Sequence, residues 1–281
     1  EARCAALGAQ VLTMAGPDYP SRLKGIPDAP PALFATGDLS ALNAGHTVGM
    51  IGSRRPSAYG VEAAAGIGKE LAEAGVCLVS GLADGLDSEA HKAAVAAGAP
   101  TIGVLGTAID QTYPASNRRL RAEMEQTGAV VSEFFPGETA RRSNFLLRNR
   151  LIAAQAEVLC VAEARTRSGT LNTVSHAERY GRPVLAVPGS IYSALSQGTN
   201  ELLRTRRAGA LCQASDALDC LDLCADAAVP EQAAFTPEAV SPDARAVYAC
   251  LGPAAQGVDA LCAALAVKGG MNPEAALGGG G

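Results

Sequence analysis

Residues Val48 to Gly60 read Val-Gly-Met-Ile-Gly-Ser-Arg-Arg-Pro-Ser-Ala-Tyr-Gly, and this stretch decides the fold. It opens with an apolar run of the kind that forms a strand buried on both faces. The run breaks at Gly52 and Ser53, Arg54 and Arg55 follow, and a helical pattern begins near Tyr59. Strand, small-residue turn and helix start together aim backbone N–H groups and a helix N-terminus at one point beyond the sheet edge. Two arginines at that point predict an anion site.

Outward from this unit the same alternation repeats. Apolar runs at 47–52, 76–80, 101–106, 129–133, 158–163 and 183–188, with a short one at 209–212, predict strands. Helical patterns fill 59–74, 87–98, 116–127, 145–156, 169–180, 198–207 and 215–224. Strands alternating with helices predict an α/β fold with a doubly wound, mostly parallel sheet, and a ligand at the carboxyl ends of its strands. Residues 1–44, irregular and rich in proline, read as an extended lead-in packed on the sheet. The sheet domain is expected over 45–225, a linker over 226–241, and a small helical, winged-helix-like domain over 242–281.

The 281 residues carry a formal net charge of −5, which argues against broad nonspecific nucleic-acid binding. The distribution of charge points elsewhere. Of 23 basic residues only four are lysine, and from Arg141 to Arg167 six arginines face two acids, Glu157 and Glu163. Arginine is the side chain of forked phosphate contacts and of stacking. No stretch of the sequence reads as long and apolar enough to span a membrane, and no secretory leader is expected. The eight cysteines lack a compact framework and read as reduced thiols of a cytoplasmic protein, with no metal site. Cys220 and Cys224, at helical spacing, have no second ligand pair close in sequence.

Spacing tests the possible ligands. Gly68-Lys69 is followed by Glu70 and lacks the first glycine of a P-loop. Gly49 and Gly52 have the wrong spacing for a dinucleotide fold, and the second strand ends in Val79-Ser80 rather than an acid. No nucleotide cofactor is therefore expected. A ligand with spaced phosphates and exposed bases fits better. The run Arg141-Arg142-Ser143-Asn144-Phe145-Leu146-Leu147-Arg148-Asn149-Arg150 sets an aromatic among arginines near a helix start, the components of a single-strand site. Leu146, Leu147 and Leu151 are expected to supply core contacts and leave Phe145 facing the pocket.

These residues carry a family. Gly52-Ser53-Arg54, Ser80-Gly81-Leu82-Ala83, Val104-Leu105-Gly106, Tyr113-Pro114, Ser132-Glu133-Phe134, Phe145 with Arg148-Asn149-Arg150, Ser168-Gly169-Thr170 and Ala186-Val187-Pro188-Gly189-Ser190 stand in order. Over about residues 18–222 the chain resembles the bacterial DNA-processing protein DprA (Smf) family. The resemblance implies an extended Rossmann-like fold that binds single-stranded DNA. It implies a homodimer that protects incoming DNA and loads the RecA recombinase during natural transformation, on strands met by single-strand-binding protein. It places the DNA pocket on Ser53, Arg54, Arg142, Phe145, Arg148, Asn149 and Arg150. Asp84 departs from the basic residue usual there, and Arg204-Thr205-Arg206-Arg207 is more basic than usual.

The rival is a nucleotide phosphoribohydrolase-like enzyme on the same fold. Its signature, Gly-Gly-x-Gly-Thr-x-x-Glu, needs a carboxylate where this chain has Thr173, and a threonine cannot act as that base. Glu133, Glu163 and Asp87 read as loop and cap anchors, and His91 and His176 as structural, so no catalytic residue is expected.

Overall fold

The structure, a computed structural model, describes residues 2–226. Among the described residues nine strands form one sheet: β1 (Gln10–Thr13), β2 (Ala32–Gly37), β3 (Thr47–Gly52), β4 (Cys77–Ser80), β5 (Thr101–Val104), β6 (Ala129–Ser132), β7 (Val158–Glu163), β8 (Val184–Ala186) and β9 (Gly209–Ala210). Their order is β1-β2-β6-β5-β4-β3-β7-β8-β9. From β6 to β9 all neighbours run parallel, while β1 and β2 are antiparallel additions. The helices are α1 (Ala2–Ala6), α2 (Ser21–Lys24), α3 (Ala58–Glu73), α4 (Leu86–Ala96), α5 (Arg118–Met124), α6 (Arg142–Gln155), α7 (Thr170–Arg179), α8 (Gln197–Arg204) and α9 (Ala214–Asp226). This is a doubly wound, Rossmann-like α/β fold.

Period-two alternation sorts each central strand between two cores. Val48 and Met50 of β3, with Val158 and Cys160 of β7, pack under Ala64, Ile67 and Leu71 of α3, Ala90 and Ala94 of α4 and Leu221 of α9. Ile51, Leu159 and Val161 point the other way, onto Leu151 and Ile152 of α6, Val174 of α7 and Leu202 of α8. Each large aliphatic side chain fully buried this way stabilises the fold by roughly 1.5–3 kcal/mol.

The extended lead-in holds two regular strands, β1 and β2, where the sequence reads as irregular. Phe34 pairs with Ser132 and Gly37 with Ala129, so β2 extends the sheet beyond β6, and β1 extends it again. Leu33, Phe34 and Ala35 are buried. Pro27, Pro30 and Pro31 break the chain just ahead of β2 and hide its pattern. The lead-in and the sheet form one compact unit, Glu1–Ala227. The linker at 226–241, apart from its first residue, and the winged-helix-like piece at 242–281 lie outside the described residues.

The connection order positions the site. The chain winds from β3 through β4 and β5 to β6 on one side, then crosses back so that β7 lies on the other side of β3. Connections leaving β3 and β7 diverge there, opening a crevice at the carboxyl ends of the two strands.

Candidate nucleic-acid interface

That crevice is a cavity of about 650 Å³. The end of β3 supplies Gly52, Ser53 and Arg54, and the loop after β7 supplies Arg165 and Ser168 to Thr170. From α6 come Arg142, Phe145, Leu146, Arg148, Asn149 and Ile152. Residues 142, 145, 149 and 152 recur at helical spacing and so share one face.

Local chemistry fixes each wall. The Leu86 N–H donates to the Ser53 carbonyl at 3.1 Å, which holds the β3 turn against α4. Gly85 adopts φ +82°, and a Cβ there would sit 2.3 Å from the Ser53 carbonyl oxygen, so only glycine permits this approach. Ser57 caps α3 by accepting from the Gly60 N–H at 3.1 Å. Glu163, at the end of β7, accepts from both the Ser57 N–H (2.9 Å) and the Ser57 hydroxyl (2.7 Å). This buried carboxylate therefore bolts the Arg54–Ser57 turn across to β7.

The floor is Arg148, only 3% exposed. Its Nη1 donates to the Val104 carbonyl, while its buried Nε has no protein partner. Burial, reinforced by the positive charge of Arg54, pushes the Arg148 guanidinium down to about 10, with Asp87 opposing. Burial also raises the Asp87 carboxyl above its usual range, against the pull of Arg148. The Gly81 N–H donates to Asp87 Oδ2 at 3.2 Å. Behind them His91 is pushed down to about 3, first by burial and then by Arg148, so the ring is neutral. Asn149 Nδ2 donates to the Gly169 carbonyl (3.3 Å) and to Asn172 Oδ1 (3.2 Å), tying α6 to the loop before α7.

Phe145 stands at the mouth, half-buried. The Arg54 guanidinium carbon lies 5.5 Å from its ring centroid, and the Tyr113 ring lies 5.3 Å away at 55°. Leu146 and Leu147 are 50% and 47% exposed, so of the three leucines expected in the core only Leu151 is there.

Six of the residues singled out in the sequence thus line one cavity: Ser53, Arg54, Arg142, Phe145, Arg148 and Asn149. Arg150, the seventh, does not line it. Five residues after Phe145, it lies about 140° round the helix, and its Nη2 reaches Glu133 Oε2 at 2.6 Å. Tyr113, Arg165 and Thr173 also line the cavity and had not been assigned to it. Arg165 had a signal, since it falls in the arginine-rich segment. Among the described residues Arg54, Arg55, Arg141, Arg142, Arg165 and Arg167 find no ion-pair partner, whereas Arg204 pairs with Glu201 and Arg207 with Glu178. The basic run at 204–207 is accordingly largely neutralised. Asp84 accepts from the Ser116 hydroxyl at 3.2 Å and does not line the cavity. Among the described residues no cluster of side chains suits a metal ion, and no helix is long and apolar enough to cross a membrane.

A doubly wound sheet with a basic, aromatic-bearing crevice at its switch point defines a Rossmann-like protein. Residues 10–222 match the family DNA recombination-mediator protein A, and the chain belongs to that family. The DNA processing protein DprA of Bacillus subtilis is 35% identical over 197 residues, 70% of this chain and 66% of that protein. Its counterpart in Streptococcus pneumoniae is 41% identical over 186 residues, 66% of this chain and 65% of that protein. The chain thus spans about two thirds of the length of these curated relatives. The X-ray structure of DprA from S. pneumoniae superposes with a TM-score of 0.72 at 36% identity, covering 78% of this chain and 77% of that one. DNA processing protein A from Helicobacter pylori, whose structure addresses its single-stranded DNA binding mode, gives 0.69 at 29% identity, covering 78% and 96%.

Proposed function

We propose that the switch-point cavity binds single-stranded DNA without strong sequence preference. The observation that carries this is the set of unpaired arginines gathered around a half-exposed phenylalanine at one strand-end edge. Phosphates would take the arginines, and a base would take the ring. A duplex keeps its bases stacked inside and cannot offer one to Phe145. The single-stranded DNA binding mode addressed in the H. pylori relative supports the same reading.

Binding of labelled oligonucleotides at two salt concentrations tests it. With about three to four phosphates neutralised, log K should fall against log salt with a slope of roughly −2 to −3. Equal or tighter binding of duplex at matched length and salt would overturn the reading. Replacing Arg54 or Arg142 by alanine should weaken binding and flatten that slope by about 0.7 each. Stability should stay within about 0.5 kcal/mol, since both side chains stand exposed at the rim. Affinity unchanged in both variants would move the site.

Family membership extends the proposal to a cytoplasmic homodimer that loads RecA onto DNA coated by single-strand-binding protein during natural transformation. The measurement is the rate of RecA assembly on coated DNA with and without the protein. A monomer at micromolar concentration with no effect on assembly would remove this part.

A further inference from the structure

A second cavity, about 450 Å³, lies on the same sheet edge and shares no lining residue with the first. Ser57 and Tyr59 of the α3 start form one wall; Pro188, Gly189, Ser190, Ser193 and Ser196, beyond β8, form the other. We propose that this cleft, with the exposed Tyr192 on the loop that forms its second wall, is a second subsite that takes the next nucleotides of a single strand leaving the switch-point cavity. The inference rests on the single-strand reading above.

Position is the first argument. Neighbouring strands lie about 4.8 Å apart, so the end of β8 is roughly 10 Å along the edge from the end of β3. The segment joining the two sites is Arg54 to Ser57, and it carries Arg55, exposed and without an ion pair. Among the described residues no carboxylate lines the cleft, as a polyanion requires.

The second argument is the loop itself. Tyr192 is 91% exposed and Ile191 73%, the most exposed large hydrophobic side chains among the described residues. They are presented on an anchored turn. Asn200 grips Gly189 twice, accepting its N–H at 3.1 Å and donating to its carbonyl at 3.0 Å. The Gly198 N–H donates to the Ala164 carbonyl at 2.7 Å, and the Tyr59 hydroxyl to the Pro188 carbonyl at 2.6 Å. A Cβ at Gly189 would come within 2.3 Å of Ser196 Oγ, so the turn is closely packed at its base. The hydroxyls of Ser190 and Ser193 accept from the N–H groups of Tyr192 and Leu195, each at 3.3 Å. Their O–H donors remain free for phosphate or sugar oxygens. An aromatic held out beside hydroxyl donors and an unpaired arginine matches the chemistry of a base and its backbone.

The test is affinity as a function of strand length, using oligothymidylates of about 4 to 16 nucleotides. Affinity of the unaltered chain should keep rising after the first cavity is filled. Tyr192→Ala should lose about fivefold or more on the long strands, leave short strands unchanged, and keep the salt slope, while Tyr192→Phe restores the gain. Phe145→Ala should weaken binding at every length. Because the chain has no tryptophan, Tyr192→Trp adds a single reporter, which long strands should quench and short ones should not. Unaltered affinities of Tyr192→Ala at every length, or an unmoved indole signal, would overturn the second subsite alone. Failure of the unaltered chain to bind any strand would overturn the single-strand reading and this inference with it.

Discussion

Replacing Arg150 by alanine should cost the fold about 3–5 kcal/mol, the usual penalty for removing one partner of a buried ion pair. The side chains of Arg150 and Glu133 are 8% and 11% exposed, and they meet at 2.6 Å. Arg150 also faces Asp28, Nε to Oδ2 at 3.9 Å, and Asp28 accepts the Tyr180 hydroxyl at 2.7 Å. The cluster joins the segment before β2 to β6, α6 and α7. Burial already holds the Glu133 carboxyl above its usual range, with Arg150 opposing. Without Arg150 that carboxyl rises further. An acid whose folded pKa is raised contributes stability that is fully present below its unfolded value, about 4.3, and lost as pH rises through the folded value. The deficit of Arg150→Ala should therefore be larger at pH 7 than at pH 5. Urea denaturation at the two pH values measures it. Arg150→Met combined with Glu133→Leu should recover much of the loss, since a buried pair replaced by apolar groups of similar volume is often neutral. An unshifted midpoint with weakened DNA binding would return Arg150 to the binding surface.

Arg150 also marks the limit of what the sequence reveals. The arginine-rich helix start was legible, because aromatic and basic residues recur there at short spacing. The direction of each arginine was not. Arg148 turns inward because Val104 and Asp87 wait for it, and Arg150 turns away because Glu133 and Asp28 do. Those partners lie far off in the chain. The central strands were legible for the opposite reason: β3 and β7 are buried on both faces and read as continuous apolar runs. β1 has four residues with one of them buried, and β2, though six residues long, follows Pro30-Pro31 and is buried only at its centre, so periodicity carries little signal there. Tyr113 and Arg165 arrive from other strand ends, and only the winding of the sheet brings them to Phe145.

Phe145→Ala should weaken single-strand binding about tenfold or more while leaving the salt slope nearly unchanged. A base stacked on an aromatic contributes roughly 1–3 kcal/mol and releases no counterion. The ring's seat is specific. A Cβ on Gly106 would fall 2.6 Å from Phe145 Cδ1 and 3.1 Å from its Cα, so the helix start rests directly on that glycine. Tyr113 abuts the ring and Arg54 covers it, while the rest opens to the cavity. An arginine over a ring is worth about 0.5–1 kcal/mol at an exposed site, less than a stacked base. An arriving base can therefore take the ring face and release Arg54 to a phosphate. Arg54 and Phe145 then act on one event, and a double-mutant cycle should be non-additive. Phe145→Tyr should retain most binding, and Phe145→Leu should fall between. Because the ring is only half-buried, Phe145→Ala should destabilise by less than the about 3–5 kcal/mol of a core phenylalanine. A loss of that full size, with normal DNA affinity in the protein that remains folded, would make Phe145 a core residue and leave the arginines to bind the strand by charge alone.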